Sequence, residues 1–176
     1  MGKNIIIRPL KQSDAKDYVF LHNLVWRDAY KHIFPKEVFD ERDKNAEKMI
    51  KSFNNFINSN SEQINLVAEC GGKPIGFMSA TLNSNYEHYK NNGYAELMGV
   101  YIHPQFQGNG VATKFKNMFV DWAKENGATK FVIGALKDNR KACSIYEKWG
   151  GKLDDYKKPF EKLGKKYDEV FYVFKI

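Results

Sequence analysis

The hydrophobic pattern of this chain changes period several times, and each change marks an element. Asn4-Ile5-Ile6-Ile7-Arg8-Pro9-Leu10 is short, β-branched and closed by a proline, which predicts a first strand ending at Pro9. Ser13 or Asp14 then offers an N-cap. Tyr18, Leu21, Val25 and Ala29 recur at helical spacing, predicting a helix to Tyr30. After Pro35 a second helical region, 36–59, carries Val38, Phe39, Met49, Ile50, Phe53, Phe56 and Ile57. The charged run Asp40-Glu41-Arg42-Asp43-Lys44-Asn45 breaks its apolar face, so one helix and two short ones fit equally.

The period then falls to two. Residues 64–70 and 75–82 flank Gly71-Gly72-Lys73-Pro74 and read as a β-hairpin. Polar, turn-rich residues 83–93 read as a loop, and 94–102 as another strand. Val111, Phe115, Met118, Phe119 and Trp122 form a helical stripe closed by Asn126-Gly127. Residues 129–136 read as a strand. Asp138 or Asn139 caps a further helix with Ala142, Ile145, Tyr146 and Trp149 on one face, ended by Gly150-Gly151. Two last strands, 152–156 and 167–176, enclose a lysine-rich loop at 157–166. Without repeats or linkers, residues 1–176 read as a single α/β domain with a mixed sheet.

Composition narrows the class. The chain has 176 residues, 43% of them hydrophobic and 15% aromatic, enough for a sizeable core. No run of about twenty apolar residues predicts a membrane span. The apolar part of Met1 to Leu10 is too short for a signal peptide, and Ile6 stands where a myristoylation motif wants Ser or Thr. A cytoplasmic location is the expectation. Cys70 and Cys143 make no disulfide framework and no zinc spacing, and no metal is expected. Lysines and arginines number 28 against 21 acids, a net charge of +7. That balance favours acidic partners. With no block of basic residues and no RNA-binding signature, it suits a phosphorylated small molecule better than nucleic acid.

The junction Val100-Tyr101-Ile102-His103-Pro104-Gln105-Phe106-Gln107-Gly108-Asn109-Gly110-Val111-Ala112 carries the candidate chemistry. A strand passes through two glycines into a helix. Glycines let a ligand approach the backbone closely. The first N–H groups of a helix lack acceptors and sit at the positive end of its dipole. Together they suit a diphosphate. No Gly-Lys-Ser/Thr follows, which excludes a P-loop, and Thr113 stands where a dinucleotide fingerprint wants its third glycine. On spacing alone, a plain turn remains an equal reading.

In this context the junction resembles the GNAT family of N-acetyltransferases. Their Q/R-x-x-G-x-G/A motif matches Gln107-Gly108-Asn109-Gly110-Val111-Ala112 after Val100 to Pro104, with a second register at Gln105 to Gly110. The family's next motif follows as Asn139, Ala142, Tyr146 and Glu147-Lys148-Trp149-Gly150. The resemblance implies a mostly antiparallel sheet with a splayed central strand pair, flanked by helices. It implies acetyl-CoA as co-substrate, its pyrophosphate on Gln107 to Ala112, and its pantetheine arm along Val100, Tyr101 and Ile102 and near Asn139. It implies Tyr146 as general acid toward the leaving thiolate and Glu96 as a candidate base, with His103 and Tyr94 weaker. An N–H on the 99–101 segment would steady the oxyanion. Two positions depart from the family. Gly99 replaces its usual glutamate, and Gly151 its usual aromatic.

The resemblance places the acceptor pocket on the first helices and the loop before the central strand: Trp26, Tyr30 and Phe34, with Tyr86, His88 and Tyr89. The acceptor is then a primary amine of a small molecule or peptide, attacking directly in a ternary complex. Two other functions stay open: a non-catalytic acyl-CoA-binding regulator, and a nucleic-acid-binding protein suggested by charge alone. The C-terminal Glu169-Val170-Phe171-Tyr172-Val173-Phe174-Lys175-Ile176, apolar on both faces, suggests a homodimer.

Overall fold

The period-two segments pair into one sheet. The computed structural model describes residues 4–58 and 62–176. Strand β1 spans Ile5–Pro9, β2 Gln63–Cys70, β3 Lys73–Thr81, β4 Tyr94–Ile102, β5 Lys130–Leu136, β6 Lys152–Lys162 and β7 Lys165–Lys175. Their order across the sheet is β1-β2-β3-β4-β5-β7-β6. All neighbours are antiparallel except β4 and β5, which run parallel. The β2–β3 turn rests on Gly71 and Gly72, at φ +58 and +74, the left-handed pair that a tight two-residue hairpin requires.

Helices α1 (Ala15–Tyr30), α2 (Lys36–Lys44) and α3 (Ala46–Asn58) precede β2, so the second helical region is two helices, broken at Asn45. Residue 59 and residues 1–3, with Gly2, lie outside the described residues. Tyr18, Leu21 and Val25 of α1 and Phe53 of α3 pack on Val67 and Phe77 of the sheet. Helices α4 (Val111–Glu125) and α5 (Arg140–Lys148) cover the other face, where Phe115, Phe119 and Ala123 meet Met78, Leu97, Phe131 and Phe174. Met118 leaves the expected stripe. It is 39% exposed, and Ala123 completes the buried face instead.

One expectation is corrected. The lysine-rich segment is a long hairpin, turning at Leu163 and Gly164 (φ +48 and +71), because β6 and β7 pair from Lys152 to the turn. β6 is an edge strand, and the exposed lysines that resembled a loop are what an edge strand carries to discourage further pairing. Strand β7 lies between β5 and β6, with Val170, Tyr172 and Phe174 buried on one face and Phe171 on the other. Its two apolar faces are packed within the chain, which accounts for their pattern without bearing on oligomeric state.

Asp14 precedes α1, but its side chain makes no cap bond to that helix. It accepts from the Lys11 N–H (2.7 Å) and takes both terminal nitrogens of Arg8 (2.8 Å each), while Arg8 also reaches Glu69. This ties β1, β2 and the start of α1 together. The Arg8 guanidinium holds the Asp14 carboxyl below its ordinary value of 3.8. A lowered folded pKa gives stability present above that ordinary value and lost as pH falls through the folded one. We predict that Arg8→Ala costs about 2 kcal/mol in urea denaturation at pH 7. That is less than a fully buried pair loses, because Arg8 is partly exposed. The deficit relative to the parent protein should shrink as pH drops below about 4; a deficit independent of pH would refute the assignment.

Candidate active site

The turn between β4 and α4 is built for its own conformation. Gly108 and Gly110 sit at φ +78 and +75, with nothing within 4 Å of where a Cβ would stand. Glycine is needed there for the left-handed backbone, and the space beside it is open. Gln107 Nε2 donates to the Ile102 carbonyl (3.0 Å), and Asn109 Nδ2 to the carbonyls of Phe106 (3.1 Å) and Gln107 (3.2 Å). Those two amide side chains brace the turn from within. The first backbone bond after it runs from Lys114 N–H to Gly110 (3.0 Å). Among the described residues, the N–H groups of Gly108 to Thr113 donate to no protein acceptor. They are grouped at the positive end of a 15-residue helix.

Beside this turn the sheet opens. β4 and β5 pair only where Tyr94 to Glu96 meet Lys130 to Val132. Beyond that, β4 stays with β3 as far as Ile102, and β5 with β7 as far as Leu136, so their facing edges part. A bulge assists the divergence: Ser79 faces Gly99 and Ala80 faces Leu97, leaving Met98 unmatched. The gap forms a cleft of about 520 Å³, walled by Val100 and Ile102, the turn, Val25 and Ala29 of α1, and Asn139, Ala142, Tyr146 and Trp149 of the α5 region. A chamber of about 110 Å³ continues it, walled by Trp26, Tyr30, Met98, Gly99, Tyr101 and Gly134. Tyr146, Asn139 and Val100 border both.

Tyr146 is half-buried at this junction. Burial, then the nearby Tyr30 and Tyr101 hydroxyls, push its pKa far up, so it stays a neutral proton donor. Asn139 caps α5, its Oδ1 accepting from the Ala142 N–H (3.2 Å). Lys141 reaches the Gln107 side chain, joining α5 to the turn, and Lys148 also stands on the cleft wall.

Glu96 is placed differently. It is 5% exposed and lies outside both cavities. Its Oε2 accepts from Ser84 Oγ (3.0 Å), Asn85 N–H (2.7 Å) and Asn85 Nδ2 (3.3 Å). Burial nonetheless raises its pKa, outweighing those bonds. His103 caps the short turn at Pro104, and Tyr94 packs on Tyr89 and under Lys130; neither lines either cavity.

The sequence profile of the acetyltransferase (GNAT) family matches residues 18–151. The chain belongs to the GNAT family. An uncharacterized N-acetyltransferase of Methanocaldococcus jannaschii is 25% identical over 150 residues, covering 84% of this chain. An uncharacterized N-acetyltransferase of Bacillus subtilis is 32% identical over 59 residues, 34% of this chain. The chain spans 61% of the first relative's length and 24% of the second's. Among solved structures, the PaiA N-acetyltransferase of Thermoplasma acidophilum, in complex with coenzyme A, has a TM-score of 0.75 at 19% identity, over 98% of this chain and 99% of that one. A GNAT protein of Rhodopseudomonas palustris has a TM-score of 0.76 at 18% identity, over 100% and 99%. The mostly antiparallel sheet with its splayed central pair is thus the fold of this family.

The two departures from the GNAT pattern have steric causes. A Cβ on Gly99 would stand 2.7 Å from the Tyr101 ring, which folds back over it, so the usual glutamate has no room. A Cβ on Gly151 would stand 2.5 Å from Phe174, whose ring stacks on Phe131 at 4.2 Å and fills the place of the usual aromatic. Of the acceptor-side residues expected from sequence, Trp26 and Tyr30 do line the chamber. Tyr86 stands behind its wall. Phe34 and Tyr89 are core, and His88 stacks on Tyr156. Sequence reasoning missed Lys141, Ile145 and Lys148, although their helical spacing after Asn139 was a usable signal. It also missed Gly134, which had none. We predict that Gly99→Ala costs about 1–3 kcal/mol in denaturant unfolding through the clash with Tyr101. A Gly99→Ala variant as stable as the parent would show that Tyr101 does not fix this corner.

Proposed function

We propose that this GNAT protein is an acetyl-CoA-dependent N-acetyltransferase acting on a primary amine in a ternary complex. The observation that carries this is the continuity of the cleft: unpartnered helix N–H groups at one end, an unpaired strand edge along its length, and a neutral phenol where it narrows. The residues fit the co-substrate by chemistry. The amides of Gly108 to Ala112 suit a pyrophosphate, with Lys141 and Lys148 adding charge. The free edge of Val100 to Ile102 suits an amide-bearing arm, as a strand edge receives a peptide, and Asn139 stands beside that path. Of the motif residues, Gln107 and Asn109 contribute by holding the turn, and Val111 by anchoring α4 in the core.

The chain's own groups then divide the work. A backbone N–H on the Gly99–Tyr101 edge faces the place where the carbonyl oxygen gains charge. Tyr146 gives its proton to the departing sulfur. Glu96, shielded from the cleft by its neighbours, accepts the amine's proton through water. Trp26 and Tyr30 enclose the acceptor, and Tyr86 acts from behind the wall.

Calorimetry with acetyl-CoA tests the first half. The parent protein should bind, and Gly110→Glu should lose at least tenfold in affinity, since a carboxylate in the turn opposes the pyrophosphate. Equal binding by both would refute the cradle. Thiol-release kinetics over an amine panel test the second half. Tyr146→Phe should lower kcat about 100-fold with acetyl-CoA affinity retained, and Glu96→Gln should lower it less. Because the Glu96 pKa is raised and that of Tyr146 is raised far more, the rate should climb through a carboxyl titration above 4.5 and show no alkaline loss from Tyr146 below pH 10. No thiol release with any amine, despite tight acetyl-CoA binding, would indicate a non-catalytic binder.

A further inference from the structure

The chamber beyond Tyr146 has a chemical asymmetry that the acetyl-transfer chemistry does not use. Its walls are aromatic, from Trp26, Tyr30 and Tyr101. Directly behind the wall at Gly134 lies a carboxylate on β7. A Cβ built on Gly134 would stand 3.0 Å from Glu169 Oε1 and 2.7 Å from the Tyr86 hydroxyl. Tyr86 donates to that same Oε1 at 2.8 Å, which fixes the carboxylate's direction. Glu169 also lies near enough to Tyr30, on the chamber wall, to perturb its titration.

Two carboxylates, Glu169 behind the Gly134 wall and Glu96 outside both cavities, therefore lie near one another, and neither is in an ion pair among the described residues. Lys158 would be the natural partner, because it faces Glu169 across the β6–β7 ladder. Its ammonium instead lies over the Tyr86 ring, 5.5 Å from the centroid. Glu169 is half-buried and stands against Gly134 of the chamber wall, whereas Glu96 is buried outside both cavities, so Glu169 is the nearer of the two to a group in the chamber. A partly desolvated carboxylate with Lys158 nearby but not ion-paired to it, beside aromatic faces that favour a cation, has room for a closer one.

We propose that Glu169, oriented by Tyr86, is an acceptor-binding residue that seats the ammonium of a primary alkylamine at the chamber. This deepens the acetyltransferase reading and rests on it for the direction of attack. The groups facing Glu169 are Tyr86 from the loop before β4, Lys158 from β6 and Glu96 from β4. Burial, and then the Glu96 charge, raise the Glu169 pKa, while the Tyr86 hydrogen bond and Lys158 oppose this, and the Lys158 position shows that the region tolerates an alkylammonium. The seat selects amines that arrive charged and rejects their neutral isosteres.

The test is calorimetric titration of the full chain with n-butylammonium chloride, and separately with 1-butanol, with and without coenzyme A. Butylammonium should bind and butanol should bind far more weakly. Glu169→Gln should weaken butylammonium at least tenfold while coenzyme A affinity stays within about twofold, and Glu169→Asp should keep most of the binding. In turnover with n-butylamine, Glu169→Gln should raise KM more than it lowers kcat. Should Glu169→Gln fail to fold, Tyr86→Phe is read in its place, with a several-fold loss expected. Equal butylammonium affinity in the parent and the folded variant overturns the seat, as does butanol binding equally well, or no butylammonium binding to the parent. Butylammonium binding without any coenzyme A binding would support the seat and refute the acetyltransferase reading instead.

Discussion

The parting of β4 from β5 is the constraint on which the rest of the molecule depends. A sheet that stops pairing in its middle leaves rows of backbone donors and acceptors without partners, which is unfavourable unless something replaces them. Here each strand is held on its other edge, β4 by β3 and β5 by β7, so the gap does not unravel the sheet. The unmatched Met98 bends β4, and Gly99 lets the Tyr101 ring fold over the bend. The opening is thus set by the chain itself, through the strand edges that part and the bend in β4.

The two ends of the opening use different physics. At the glycine turn, partial charges on helix N–H groups face open space, where an anion gains from several donors at once and loses little hydration. The chamber is a narrow space of about 110 Å³ bordered by Trp26, Tyr30, Tyr101 and Tyr146, where each charge counts for more than in open water and each unpaired one is costly. Tyr146 stands between, held neutral by burial. A phenol there can donate a proton without adding charge to a confined space. The same burial makes Glu96 and Glu169 weaker acids than usual, which suits groups that meet a protonated amine.

What was legible in the sequence was local. Gly108 and Gly110 announce a left-handed backbone, a helix start follows, and Asn139 announces a cap; each is a property of a few consecutive residues. The family motif then gave the splay and the position of Tyr146. What was not legible depends on topology. Glu169 and Tyr86 are far apart in sequence and meet because β7 inserts between β5 and β6. Glu96 looked like a strand residue beside the reaction, but Ser84 and Asn85 fold over it from a loop whose path no periodicity gives. The β6–β7 hairpin was misread because an exposed edge strand and a loop share a polar, lysine-rich composition, and only pairing distinguishes them.

Net charge illustrates the same limit. A balance of +7 pointed to an acidic partner. Yet at physiological salt a surface charge is largely screened beyond about 8 Å. The lysines of the β6–β7 turn, on the far edge of the sheet, therefore say little about what enters the cleft. What matters is the sign of the groups nearest the cleft, and it changes along it: Lys141 and Lys148 with helix N–H groups at one end, Glu169 behind the Gly134 wall at the other. On the proposed function, a cavity polarised in this way places an anion at the turn and the acceptor's ammonium at the chamber, with Tyr146 between them. That polarity, and not the total charge, is what the proposed chemistry draws on.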